Sequence, residues 1–148
     1  MKEIDIGFTH VAFVVRDLKK SIDFYSRYAG IHVVHKREPN LPDARKVAWL
    51  SDRTRPFALV LVQADVVTDT PLGNFGHLGV ACSGIEEIDA KIAMAREEGI
   101  LRKEPVQAGE PVGYYAFIAD PDGNTLELSY GQKVGLEALG HGENVPAA

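Results

Sequence analysis

Polar and apolar residues alternate from the start of the chain, then change period. In "FTHVAFVV", residues 8–15, Val11, Phe13 and Val15 fall on one side of a strand, and Phe8, His10, Ala12 and Val14 on the other. Next, Leu18, Ile22 and Tyr25 recur at helical spacing, with Asp17 as N-cap and Gly30 as stop. Three strand-like runs follow: "IHVVHKR", "RKVAWLS" and "FALVLVQ". The order is strand, helix, strand, strand, strand.

The same order then repeats. "FGHLGVAC", residues 75–82, matches "FTHVAFVV" with an offset of 67 residues (77 − 10). Ile85, Ile88, Ile92 and Ala95 predict a second helix, with Ser83 as cap and Gly99 as stop. "ILRKEPV", "GYYAFIA" and "NTLELSY" predict three more strands, the last two joined by the turn "DPDG". The fold class is therefore α+β: two βαβββ modules, about 6–64 and 75–131. A half of that size buries little surface alone, so the modules are expected to pack as one domain over 1–132. Residues 133–148 read as a loose tail or a short arm on a partner, His141 included.

The repeat gives the histidines meaning. His10 shares its face with Ala12, and His77 with Gly79, small neighbours that leave room for something to approach. In "NTLELSY", Glu127 stands between Leu126 and Leu128, and a carboxylate is costly to bury there unless a positive group meets it. The repeat offset places Val60 at the matching point of the first module. Two imidazoles and one carboxylate make the ligand set of a facial triad with open metal positions. A lone buried histidine is more often structural, and Glu127 has a rival reading on an open, wet sheet face. His32 and His35 read as surface residues, Cys82 as a small buried residue, and Asp120 and Asp122 as turn formers.

Composition narrows the partners. The net charge of −5 and the lack of basic clusters argue against nucleic acid or an acidic membrane surface. A single cysteine forbids an internal disulfide, and no apolar run is long enough for a membrane span, so a cytoplasmic protein is expected.

The stretches "FTHVAFVVRDLKKSIDFYSRYAGI", "FGHLGVAC" and "AFIADPDGNTLELSYG" resemble the vicinal oxygen chelate superfamily, over most of residues 6 to 131. Its members include glyoxalase I, extradiol dioxygenases, fosfomycin-resistance transferases and bleomycin-binding proteins. The resemblance implies mixed sheets that curl around a central cavity, with His10, His77 and Glu127 as metal ligands. A fourth ligand position, used by glyoxalase I, falls at or near Val60, which cannot coordinate; Gln63 reaches that place only with an odd register shift, which reverses the face. The tyrosine of the extradiol pattern falls at Phe117; Tyr115, two residues earlier on the same face, is the candidate catalytic, substrate-orienting residue, and the strand faces make Val60 and Phe117 the expected substrate-binding lining. Lys36, Arg37 and Arg45 are candidates for a carboxylate at the cavity mouth, with solvation as the plainer use.

The expected function is a metal-dependent enzyme on a small molecule that chelates through adjacent oxygens. Extradiol ring cleavage is placed first, with Fe2+ ahead of Mn2+, Ni2+ or Zn2+. The alternatives are a glyoxalase-like lyase or isomerase, a fosfomycin-resistance-type transferase, or a non-catalytic bleomycin-type binder. Family resemblance further implies a homodimer.

Overall fold

The computed structural model describes residues 7–40, 42, 44–69 and 71–132, so the expected tail with His141 lies outside the described residues. Its elements follow the doubled order. They are β1 (His10–Val15), α1 (Leu18–Ala29), β2 (His32–Arg37), β3 (Val47–Ser51) and β4 (Ala58–Gln63), then β5 (His77–Ala81), α2 (Ile85–Glu97), β6 (Leu101–Gln107), β7 (Tyr114–Ala119) and β8 (Thr125–Tyr130). The strands form two four-stranded sheets, ordered β1-β4-β3-β2 and β5-β8-β7-β6. The class is α+β, built from two βαβββ modules.

The chain divides into two compact units: Met1–His77 with Ala119–Asn124, and Leu78–Ile118 with Thr125–Ala148. In the first, β1 runs parallel to β4, which pairs antiparallel with β3, and β3 with β2. Phe13 and Val15 are buried on the predicted face of β1. Helix α1 covers them with Leu18, Phe24, Tyr25 and Tyr28, while Ile22 is only half-buried. Phe24 lies 5.0 Å from both Tyr25 and Tyr28, ring centre to ring centre. Burying rings this size is the main favourable term, and truncating one to alanine costs about 3–5 kcal/mol.

Both ends of α1 are as the sequence predicts. Asp17 is extended and its carboxylate accepts from the Lys20 N–H at 3.0 Å. Gly30 ends the helix at φ +63°, the left-handed region where a Cβ is unfavourable.

Helix α2 differs at its start. The N-cap is Gly84, not Ser83, and no side chain caps it. Ser83 instead gives both its N–H and its hydroxyl to Glu87 Oε2, at 2.6 and 2.8 Å. Glu87 also takes a hydrogen bond from Lys91 at 2.8 Å. The Lys91 bond, followed by those from Ser83, lowers the Glu87 carboxyl to about 2. Ile88, Ile92 and Ala95 are buried as predicted, but Ile85 stays partly exposed.

The "DPDG" turn does more than reverse the chain. Asp120 and Asp122 are both buried within the first unit. The Asp120 carboxylate accepts from Tyr25 Oη–H at 2.7 Å, from the N–H groups of Asp122 and Asn124, and from Asn124 Nδ2 at 3.0 Å. Burial, then the charge and hydrogen bond of Asp120, push the Tyr25 hydroxyl far above its ordinary pKa, so it stays a donor. Asp122 Oδ1 takes the Arg16 N–H and Nη1 at 3.1 and 3.2 Å.

Candidate functional site

Each sheet has one face under its helix and one open face. In the first unit the β1–β4 register pairs His10 with Ala58, Ala12 with Val60 and Val14 with Val62. Paired residues point to the same side, so His10 shares the open face with Ala58, Val60 and Val62. Gln63 pairs with Val15 on the helix side, and its Oε1 accepts from the Leu18 N–H at 2.9 Å. It therefore serves α1 and is turned away from the face where a fourth ligand would stand.

His10 is exposed, with Nδ1 2.9 Å from Thr9 Oγ1. His77, also exposed, places Nδ1 3.0 Å from the Phe75 carbonyl. A carbonyl only accepts, so Nδ1 carries the proton and the lone pair of the neutral ring sits on Nε2. Metal-binding imidazoles are commonly oriented this way, through their other nitrogen. Gly76 makes room for the approach: a Cβ there would lie 2.1 Å from the Leu72 carbonyl oxygen. The Phe75 ring packs edge-on to His77 at 5.8 Å.

In the second unit, Glu127 is buried on the face of β8 opposite Leu126 and Leu128. Its Oε1 accepts from Gln132 Nε2 at 3.1 Å. Tyr115 and Phe117 alternate with the buried Ala116 and Ile118, and their rings lie 5.3 Å apart. Tyr114, on the other face, gives its hydroxyl to Asp89 of α2 at 2.7 Å. Tyr115 and Phe117 therefore occupy the face away from α2. Cys82 is buried, and burial raises its thiol pKa, which suits a packing residue better than a nucleophile.

The donor types suit a divalent cation, and His77 has the required tautomer. The three predicted ligands divide between the units, His10 and His77 in the first and Glu127 in the second. Among the described residues no three His, Cys, Asp or Glu side chains form a group able to hold a metal ion.

The grouping of three open-face residues escaped the sequence reading. His35 and Trp49 are partners across β2 and β3, with rings 5.0 Å apart, and the Arg37 guanidinium lies 5.6 Å from the Trp49 ring centre. Lys36 pairs with the buried Ala48 and so faces the helix side. Of these two cations, both candidates for a carboxylate, Arg37 shares the face of His10 and Lys36 does not.

Residues 7–128 match the family described as Glyoxalase/Bleomycin resistance protein/Dioxygenase superfamily. The chain belongs to this superfamily. An uncharacterized superfamily relative from Pseudomonas aeruginosa is 31% identical over 129 residues, covering 86% of this chain and 90% of its own. A lactoylglutathione lyase of Escherichia coli O157:H7 is 28% identical over 121 residues, covering 80% of this chain and 88% of its own. Against the Arabidopsis thaliana lactoylglutathione lyase, at 29% identity, the chain spans 43% of the relative's length. The fold also matches the fosfomycin resistance protein FosX of Listeria monocytogenes, with TM-score 0.68 and 16% identity, over 92% of this chain and 98% of that one. That FosX structure, of a point mutant, holds Mn(II) and 1S,2S-dihydroxypropylphosphonic acid. The named relatives thus lean toward the lyases of the glyoxalase/dioxygenase superfamily and give no support to ring cleavage as first choice. Among the described residues no helix is long and apolar enough to cross a membrane.

Proposed function

We propose that this protein is a metal-dependent enzyme in which His10, His77 and Glu127 hold one divalent cation. Its substrate is a small molecule that chelates the cation through two adjacent oxygens. The observation that carries this reading is the His77 ring, whose proton is committed to the Phe75 carbonyl so that Nε2 keeps its lone pair. The reaction is lyase or isomerase chemistry of the glyoxalase type, a reading supported by the lactoylglutathione lyases among its relatives. The protein works in the cytoplasm as a homodimer.

A bound cation would polarise the chelated oxygens and acidify the neighbouring C–H. That C–H proton needs a base, and Glu127 would have to leave the cation to accept it and return it to the adjacent carbon. Val60 brings hydrocarbon to the position where a fourth ligand would stand, so a cation held there by three protein ligands would keep positions for substrate. The Tyr115 hydroxyl orients the substrate, and the Phe117 ring beside it keeps water from that side. Mn2+, already seen in the FosX neighbour, is now the first candidate, ahead of Fe2+, Ni2+ and Zn2+.

Metal analysis of protein purified without chelator tests the reading. One equivalent of metal per chain is expected, and His77→Ala should weaken metal affinity about 100-fold or more. Wild-type affinity in that variant rejects the ligand assignment. No metal, even after reconstitution, transfers the protein to the non-catalytic, bleomycin-type binders. Light scattering decides the homodimer.

A further inference from the structure

The second strand of each unit carries an irregularity at the same place. In β2 the pairing steps from Val33–Leu50 to His35–Trp49, leaving Val34 as the extra residue. In β6 it steps from Leu101–Ile118 to Lys103–Phe117, leaving Arg102 extra, and β6 shifts once more between Lys103 and Val106, which β2 does not. The two events are related by one offset of 68 residues, which takes His35 to Lys103 (103 − 35) and Trp49 to Phe117 (117 − 49). A β-bulge shifts the alternation by one residue and re-aims the side chains that follow. Before each bulge an apolar residue, Val33 or Leu101, opposes a fully buried core residue, Leu50 or Ile118. After it, a basic side chain lies beside an aromatic ring on the open face.

The outcome is similar in both units although the residues differ. In the first, His35 and Arg37 flank Trp49, at 5.0 and 5.6 Å from its ring centre. In the second, Lys103 Nζ sits 4.9 Å from the Tyr115 ring centre and 5.8 Å from that of Phe117. Neither Arg37 nor Lys103 forms an ion pair among the described residues. His35 and Arg37 are exposed and Trp49 is half-buried, so the first platform is open to a ligand. Trp49 sits two strands from β1, about 10 Å from the line of His10 at the usual strand spacing.

We propose that the Trp49–Arg37–His35 platform, set by the Val34 bulge, is the specificity subsite of the enzyme and binds a carboxylate attached to a planar or apolar body. The guanidinium takes the carboxylate in a charge-assisted pair, and the indole face takes the body. The substrate class becomes a small organic acid whose chelating oxygens and carboxylate lie at opposite ends. This inference rests on reading the open face as the reacting face, and its test separates the two.

Trp49 is the chain's single tryptophan, so its fluorescence reports on this platform alone. Benzoate is titrated into chelator-treated protein and into protein reconstituted with Mn(II). Saturable quenching by benzoate is expected in both, and much weaker quenching by uncharged benzamide. Arg37→Gln should weaken benzoate binding about tenfold, the loss of one charge-assisted hydrogen bond. Lys36→Gln removes the same charge one residue away on the opposite face and should leave binding unchanged. Equal effects of the two variants, equal binding of benzamide, or no saturable response overturns the subsite. A subsite that behaves as expected in a protein that takes up none of Mn(II), Fe(II), Ni(II) and Zn(II) removes the metal reading and leaves the subsite standing.

Discussion

Strands β4 and β8 fill the same slot in their sheets, second in each order, yet carry opposite chemistry. β4 reads ALVLVQ and presents Val60 on the open face; β8 reads TLELSY and carries Glu127. The helices diverge as well. α1 is capped by a side chain and buries three aromatic rings; α2 has a bare glycine cap, two glutamates in its first turn and an aliphatic core. Packing positions have stayed apolar in both units, while the open faces have drifted apart. A duplicated scaffold thus keeps what folding needs twice, and can place a charged group where only one half needs it.

Breaking the first unit at its most connected polar group should have the largest effect. Asp120→Ala strands the Tyr25 hydroxyl and three nitrogen donors, and is expected to cost about 4 kcal/mol. Denaturant unfolding followed through Trp49 measures it; a loss below 1 kcal/mol (about one ordinary hydrogen bond) would mean that water replaces the network. Making β4 resemble β8 comes next. Val60→Glu buries a lone carboxylate and should cost about 3 kcal/mol in metal-free protein. Added metal should restore part of that loss and bind more tightly than to wild type. Unchanged metal affinity would remove Val60 from the neighbourhood of the cation.

The helix starts give smaller contrasts. Asp17→Ala should cost about 1 kcal/mol by exposing the Lys20 N–H. Ser83→Ala should cost less, since the cap of α2 is Gly84 and Ser83 serves only Glu87. Reversal of that order would show Ser83 to be the working cap. The least effect belongs to acid. Glu87 is lowered from 4.5 to about 2, so its contribution is whole above 4.5 and lost as pH falls toward 2. Glu87→Gln should flatten the stability profile over that window alone; an unchanged acid limb would place the titrating group elsewhere.

Much of this architecture was legible because period and punctuation agreed. Phe13 and Val15 alternate with His10 and Val14, and Asp17 and Gly30 bracket an apolar stripe. Ser83 misled by one position, since a capping serine and a serine bonded four residues ahead look alike in a sequence. His35 and Arg37 were missed as neighbours of Trp49 for a sharper reason. Strict alternation puts Val33, His35 and Arg37 on one face, and an extra residue at Val34 leaves no trace in composition. The buried roles of Asp120 and Asp122 were hidden by distance, because their partners Tyr25 and Arg16 lie 95 and 106 residues away.

That distance bears on how the protein is made. The first unit holds residues 119–124, which leave the ribosome long after β4. A nascent chain that ends before Asp120 has Tyr25 and Arg16 in place but lacks the carboxylates they bind. The amino-terminal half must wait, partly finished, while α2 and three further strands are synthesised, and it closes only when this late segment docks.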